Sequence, residues 1–200
     1  MISGIVLAAG SSSRLGRPKQ LLELAGKLVL QHVVDAAAAA PLDEILVVLG
    51  HSAGEVADRL ALPAHGRVVL NPDHALGQST SLQAGLRAAA TGADAAVVLL
   101  GDQPGIRPEA IAAVVRSWLE EGGAVVQASY GGRPAHPSLF ARGTWPDLEE
   151  AIGDEGARSI LGRHPEWRRL VEVGGAVPDD IDTEEDYARL SAEQNCARHD

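Results

Sequence analysis

The chain has 200 residues, 46% hydrophobic and 22% charged, which is enough for one well-buried core and too apolar for a disordered chain. No apolar run reaches the roughly 20 residues of a membrane-spanning helix, and the single cysteine, Cys196, excludes an internal disulfide framework or a cysteine-rich metal site. A net charge of −10, only two lysines (Lys19 and Lys27) and 3% aromatic residues argue against a nucleic-acid partner, so an anionic ligand needs a local site.

In chain order, the apolar run Gly4–Ala8 predicts a first strand, and Leu28–Ala40 predicts a helix that stops before Pro41. Glu44–Leu49 reads as a strand, Ala53–Leu60 as a helix, Arg67–Leu70 as a strand and Ser79–Ala90 as a helix. Ala95–Leu100 is the most apolar strand. Pro108 opens a helix that ends at Gly122–Gly123, as expected for proline at a first helical turn. Ala124–Ser129 is a further strand, and the Gly- and Pro-rich Ser129–Phe140 breaks the rhythm as a hairpin or lid. Thr144–Ile152 and Glu184–Ala192 predict helices, Leu170–Val173 a weak strand, and residues 192–200 a frayed polar tail. Strands this continuously apolar are covered on both faces. The expectation is one α/β domain over residues 1–191, with three α/β/α layers around a mostly parallel sheet. The opening MISGIVLAAG lacks the basic segment of a secretory signal, so a cytoplasmic location is expected.

Three segments carry chemistry. The first strand runs into Ala8-Ala9-Gly10-Ser11-Ser12-Ser13-Arg14-Leu15-Gly16-Arg17-Pro18-Lys19-Gln20. Small residues let backbone amides approach a ligand, the serines add donors, and Arg14, Arg17 and Lys19 supply charge for a polyphosphate. The spacing matches neither GxGxxG nor GxxxxGK[ST], and an ordinary flexible turn with solvated cations is the alternative. Next, Asp102 follows the strand of AAVVLLGDQP at the sheet edge where α/β proteins bind ligands. A carboxylate there suits Mg2+, or else caps a turn before Pro104. Asp182 in DDIDTEED is a second metal candidate, within an acidic run that also reads as a solvated helix start capped by Thr183. Third, NPDHALGQSTSLQAG places Gly77, Gln78, Ser79 and Ser81 near a helix start, where they could read a base edge, with Ser79 as N-cap the alternative. His32 reads as structural, and His51, His65, His74, His164 and His199 lack metal-site spacing. His136, near Arg133, is a candidate for facing substrate. Cys196 has no partner base, which argues against nucleophilic catalysis.

Taken together, LAAGSSSRLGRPKQLL, GDQP, NPDHALGQSTSLQAG, RPAHPSLF, GDEGAR and DIDTEEDY resemble the MobA-like nucleotidyltransferases, in particular the molybdenum cofactor cytidylyltransferases, in collinear order. The resemblance implies a Rossmann-like nucleotidyltransferase fold and Mg2+-dependent transfer of CMP from CTP to molybdopterin cofactor, with a molybdenum hydroxylase as a possible later partner. It implies nucleotide contacts by Leu7, Ala8, Ala9 and Gly10, triphosphate contacts by Arg14 and Lys19, and base contacts by Gly77, Ser79 and Ser81. Asp102, with Asp182, would hold the metal. Arg14, Lys19 and Asp102 form the implied catalytic set, and Gln103, Arg133, His136, Asp154 and Arg158 would face the acceptor. The LAAG form resembles that of CTP users, whereas guanylyl-transferring relatives read LAGG. Ala135 stands where the family commonly has glycine. Other phosphorylated acceptors, NAD(P)H-dependent oxidoreduction and noncatalytic cofactor carriage are the competing readings; the missing GxGxxG weighs against the second.

Overall fold

A computed structural model of the chain describes residues 1–12 and 15–196. Arg14, assigned above to the triphosphate, lies outside the described residues. The β-branched and leucine-rich runs form β1 (Ile2–Ala8), β4 (Glu44–Leu49), β5 (Gly66–Leu70), β6 (Ala95–Leu100) and β7 (Val125–Tyr130). With β8 (Arg133–Ala141) and β9 (Arg168–Glu172) they make a seven-stranded sheet in the order β5-β4-β1-β6-β8-β7-β9, parallel except for β8. Two short strands, β2 (Glu23–Leu24) and β3 (Lys27–Leu28), pair separately.

Helices cover both faces, as the unalternated strands require. On one face α1 (Val29–Ala38), α2 (Ala53–Arg59) and α4 (Pro108–Glu121) bury Leu30, Val33, Val56, Ile111 and Val114 against Val6, Val47, Val97 and Leu139. On the other, α3 (Gln78–Ala88), α5 (Trp145–Glu149) and α6 (Arg158–Arg163) bury Leu82, Leu86, Leu148 and Ile160 against Ile5, Val48, Val98 and Phe140. The last helix, α7 (Glu184–Cys196), sets Tyr187 and Leu190 against a small cluster of Leu22, Leu24, Val29 and Ile181. Among the described residues, no helix is long and apolar enough to cross a membrane.

Strand order reverses at β1. The chain leaves β1 toward β4 on one side and leaves β6 for the far half of the sheet, so the loops after β1 and β6 part and open a crevice at the carboxyl edge.

Three sequence expectations change. Ser129–Phe140 is a hairpin whose second arm, β8, enters the sheet between β6 and β7. Pro134 and Pro137 hid that strand, because proline cannot donate to a ladder. Pairing passes from Gln127↔Ser138 to Ala128↔Ala135, which leaves His136 and Pro137 as a bulge. Helix α7 continues past Ala192 to Cys196, and α6 and the β2–β3 ribbon went unread.

Gly85 lets α3 press on the sheet: a Cβ there would stand 2.5 Å from Ile5 Cγ2. Gly85→Val is therefore expected to overpack this contact and lower stability by about 1–3 kcal/mol. Gly54→Ala in α2, where a Cβ meets nothing within 4 Å, is expected to raise it by about 0.5–1 kcal/mol. Denaturant unfolding of both variants checks the pair of opposite signs.

Candidate active site

The crevice holds a cavity of about 580 Å3. Its walls are the loop after β1 (Ala8, Ala9, Gly10, Ser11), Lys19 and Gln20, the start of α3 (Gly77, Gln78, Ser81), Gly101–Asp102 after β6, and Asp154, His51 and His74. At one side Lys19 Nζ donates to Asp102 Oδ2 at 2.6 Å and to Asp182 Oδ1 at 2.8 Å. Lys19 and Asp102 are largely buried, with side chains 16% and 20% exposed, and Asp182 is 47% exposed. Burial works against the ammonium, yet the attraction and hydrogen bonds of Asp102 and Asp182 prevail and raise its pKa. Lys19 is therefore a fixed cation across the physiological range.

Backbone contacts bring these groups together. Gln20, buried beneath the loop, donates through Nε2 to Ala8 O at 2.8 Å and to Gly10 O at 3.0 Å. Ser12 Oγ accepts from the Lys19 amide at 3.0 Å. The Ile181 amide donates to Asp102 O at 3.1 Å, which lays the Asp182 segment beside Asp102. Thr183 then caps α7: its Oγ1 accepts from the Asp186 amide at 3.2 Å, while Asp186 Oδ2 accepts from the Thr183 amide at 2.9 Å. The Thr183 hydroxyl, which donates to Asp186 Oδ2 at 2.7 Å, and then the Thr183 amide hold the Asp186 carboxyl below its usual pKa.

Metal ligation was assigned to Asp102 and Asp182, and the residues fit a hard divalent cation. The donor set is oxygen only, Asp102 Oδ1 is buried without a hydrogen-bond partner, and a positive charge already sits between the two carboxylates. Among the described residues no group of three or more His, Cys, Asp or Glu side chains forms a metal site. Substrate phosphates would therefore complete the shell.

At the start of α3, Gly77 has φ +114°, and a Cβ there would lie 2.4 Å from the Gly153 carbonyl carbon. This close approach lets Asp154 Oδ1 accept from the Gln78 amide at 3.3 Å. Ser81 Oγ accepts from buried Asn71 Nδ2 at 3.0 Å, so Asn71, which sequence reasoning passed over, orients it. Gly77, not Ser79, is the cap of α3; Ser79 is buried and lines no cavity described here.

A second cavity of about 150 Å3 adjoins the first and shares Leu7, Gln78 and Leu100 with it. His136 and Arg158 line it. His136 Nδ1 lies 3.3 Å from Val98 O and acts there as donor. Although the residue keeps some exposure, protein encloses its ring, and burial lowers the imidazole pKa; Arg158 adds to this, whereas the Val98 bond and Asp102 oppose it.

Other assigned residues fall elsewhere. Arg133 is exposed at the start of β8 and lines neither cavity, because it stands at the hairpin turn. Gln103 is buried and donates to Asp180 Oδ1 at 2.7 Å, so it supports the acidic segment instead of facing the acceptor. Burial, with repulsion from Asp102 and Asp182, raises the Asp180 pKa despite that bond. Arg17 turns outward to Glu184, 3.0 and 3.1 Å away. His51 and His74, set aside for lack of metal spacing, do line the larger cavity; only their position in loops at the carboxyl edge could have signalled this.

A cation-bearing loop facing a carboxylate at the switch point of a doubly wound sheet defines an α/β enzyme that handles nucleotides. The model of the MobA-like NTP transferase domain matches residues 4–167, and the chain belongs to that family. It is thus a nucleotidyltransferase. It is similar to the nicotine blue oxidoreductase of Paenarthrobacter nicotinovorans, 31% identical with 94% of this chain and 96% of that protein covered. It is 35% identical to the purine catabolism protein PucB of Bacillus subtilis, over 92% and 93%. Among solved structures, Rv0371c of Mycobacterium tuberculosis in complex with manganese superposes with a TM-score of 0.81 at 31% identity, covering 96% and 97%.

Two outcomes follow. Gln20→Leu strips the donor from two carbonyls and is expected to lower stability by about 1–3 kcal/mol and weaken nucleotide binding; thermal unfolding and nucleotide titration check it. Because the His136 pKa is depressed, the unfolded chain binds a proton at His136 before the folded chain does as pH falls below 6.5. The His136 contribution to stability is thus lost on acidification. Wild type is expected to lose more stability than His136→Gln between about pH 7 and 5, read by denaturant unfolding at each pH.

Proposed function

We propose that this nucleotidyltransferase moves CMP from CTP to the terminal phosphate of molybdopterin cofactor, releasing pyrophosphate, with Mg2+ as the metal and a molybdenum hydroxylase as the later recipient. The observation that carries the reading is the Lys19 ammonium held between Asp102 and Asp182 at the edge of a nucleotide-sized cavity. The LAAG form supports CTP. Ala9, from that motif, is buried beside Gly50 and lines the larger cavity. The collinear motif set supports the cofactor as acceptor.

In the proposed reaction a phosphate oxygen of the acceptor forms a bond to the α-phosphorus of CTP as the bond from that phosphorus to pyrophosphate breaks in line. The nucleophile is already anionic, so no general base is needed, and positioning with charge stabilisation suffices. Lys19 offers a permanent cation to the departing pyrophosphate, exchanging its carboxylate partners for phosphate oxygens. Asp102 and Asp182 would hold Mg2+, which when bound supplies charge neutralisation at the phosphates. Gly77 and Ser81 line the base side, while Gln20 keeps the carbonyls of the first loop turned inward.

A second reading rests on one observation, the similarity to a protein named nicotine blue oxidoreductase, and has NAD(P)H as co-substrate. Pyrophosphate release with Mg2+ and molybdopterin cofactor, compared across CTP, GTP, ATP and UTP, separates the two. CTP-selective release is expected, with kcat reduced about 100-fold or more in Lys19→Ala and in Asp102→Ala. Near-normal turnover in either variant would sink the mechanism; no release with any nucleotide, together with oxidation of NAD(P)H, would replace it.

A further inference from the structure

We infer that the smaller cavity receives a flat heteroaromatic ring of the acceptor, and that Gln127 and Ser138 read the polar edge of that ring. The inference rests on the nucleotidyl-transfer reading for the word acceptor, and on the cavity alone for the ring.

Gln127 and Ser138 face one another across β7 and β8, on the sheet face packed by α3, α5 and α6. Their strand neighbours on that face, Val125 and Phe140, are fully buried and apolar. Gln127 is 9% exposed and Ser138 1%, yet Gln127 Oε1 and Ser138 Oγ are both buried without a hydrogen-bond partner. Buried polar atoms are nearly always satisfied, and an orphan is a desolvation loss without return. Two orphans side by side in an apolar face have no structural use here. Both residues line the smaller cavity, whose walls include Leu82, Phe140 and Leu161.

Size and donor chemistry define the ligand. A cavity of about 150 Å3 is of the size that accepts one aromatic ring. Of a fused ring system, the far ring enters, and the remainder extends toward Leu7 and Leu100 and the nucleotide cavity. The Gln127 amide presents an acceptor beside a donor, and the Ser138 hydroxyl can serve as either. His136 adds an acceptor at Nε2, since its Nδ1 is committed to Val98 O. The complementary edge has an amino group next to a ring N–H and carbonyl, as in a cyclic amide bearing an exocyclic amine. Apolar walls above and below exclude water and reward a flat ligand.

The test uses pterin, which has that edge, and unsubstituted pteridine, which lacks it, titrated into the full chain by ligand fluorescence. Wild type is expected to prefer pterin by about 10-fold or more, and Gln127→Leu and Ser138→Ala are expected to remove most of the preference while CTP binding stays within about twofold. Removing an orphaned polar atom also predicts that Ser138→Ala melts about 2 °C or more above wild type, whereas a structural hydroxyl predicts a fall. Equal affinity for the two probes, unchanged preference in both variants, or displacement of pterin by CTP alone would overturn the inference. Pterin selectivity that depends on Gln127 and Ser138 without any pyrophosphate release keeps the ring site and removes the transfer reading.

Discussion

Lys19 Nζ lies 2.6 Å from Asp102 and 2.8 Å from Asp182, partners 83 and 163 residues away, so one ammonium closes the loop after β1, the turn after β6 and the segment before α7 on one another. Two adjacent carboxylates at the edge of a cleft repel; the cation between them makes their approach tolerable, and they in turn keep it charged despite burial. Removing Lys19 would leave two neighbouring carboxylates, Asp102 largely buried, without a compensating charge, which is more damaging than the net worth of the pair. The backbone has been arranged to suit: Ser12 receives the Lys19 amide, and Asp102 O receives that of Ile181. On the proposed reading, a lysine with its partners already in place needs only an exchange of anions when a triphosphate arrives.

The same strand ends that place this cluster also divide the cleft. Leu7 and Leu100, paired near the carboxyl ends of β1 and β6, stand in the walls of both cavities. On the far side β8 runs against the direction of its neighbours, and the His136–Pro137 bulge sits where the ladder shifts register. His136 precedes Ser138 by two residues, and both line the smaller cavity. Opposite it, the Gly77 and Gly153 loops meet closely enough that Asp154 bonds the first turn of α3. One cavity thus borders the charged cluster and the other lies over an apolar sheet face, a division that suits the proposed transfer of a nucleotidyl group from a triphosphate to a ring-bearing acceptor.

Much of this was legible in the sequence because apolar periodicity and strand ends are local properties. Continuous runs such as Glu44–Leu49 and Ala95–Leu100 announce strands covered on both faces, and Pro108 announces the start of α4. Asp102 was visible because one glycine separates it from the strand. Strand β8 was not, because Pro134 and Pro137 carry the signature of a loop; only pairing to β6 and β7, at long range, makes that segment extended. Arg17 and Gln103 were misplaced for a related reason. Composition marks a residue as polar but says nothing of its partner, and Glu184 and Asp180 claim these two. Gln20, Asn71, Gln127 and Ser138 carried no signal at all. An amide or a hydroxyl reads alike whether it faces solvent, stitches a loop or waits for a ligand, and burial alone separates the cases.

Charge sets a further condition. The chain carries −10 overall, and a triphosphate approaching it is repelled at distances beyond about 8 Å only weakly, because salt screens that range. Inside the cleft screening fails and the local inventory decides. Among the described residues lining the larger cavity, Lys19 is the only lysine or arginine, while Asp102 and Asp154 are also there and Asp182 adjoins through the shared ammonium. Among the described residues, one cation against these carboxylates leaves the cluster negative before any phosphate enters. On the proposed reading, a further polyanion binds more favourably when added positive charge arrives with it, so the acidic cluster would tie occupation of a phosphate site to that of a cation site. Lys19 makes the linkage sharper. While it remains between Asp102 and Asp182 it neutralises the carboxylates that would hold a divalent cation, and a phosphate would offer it another partner.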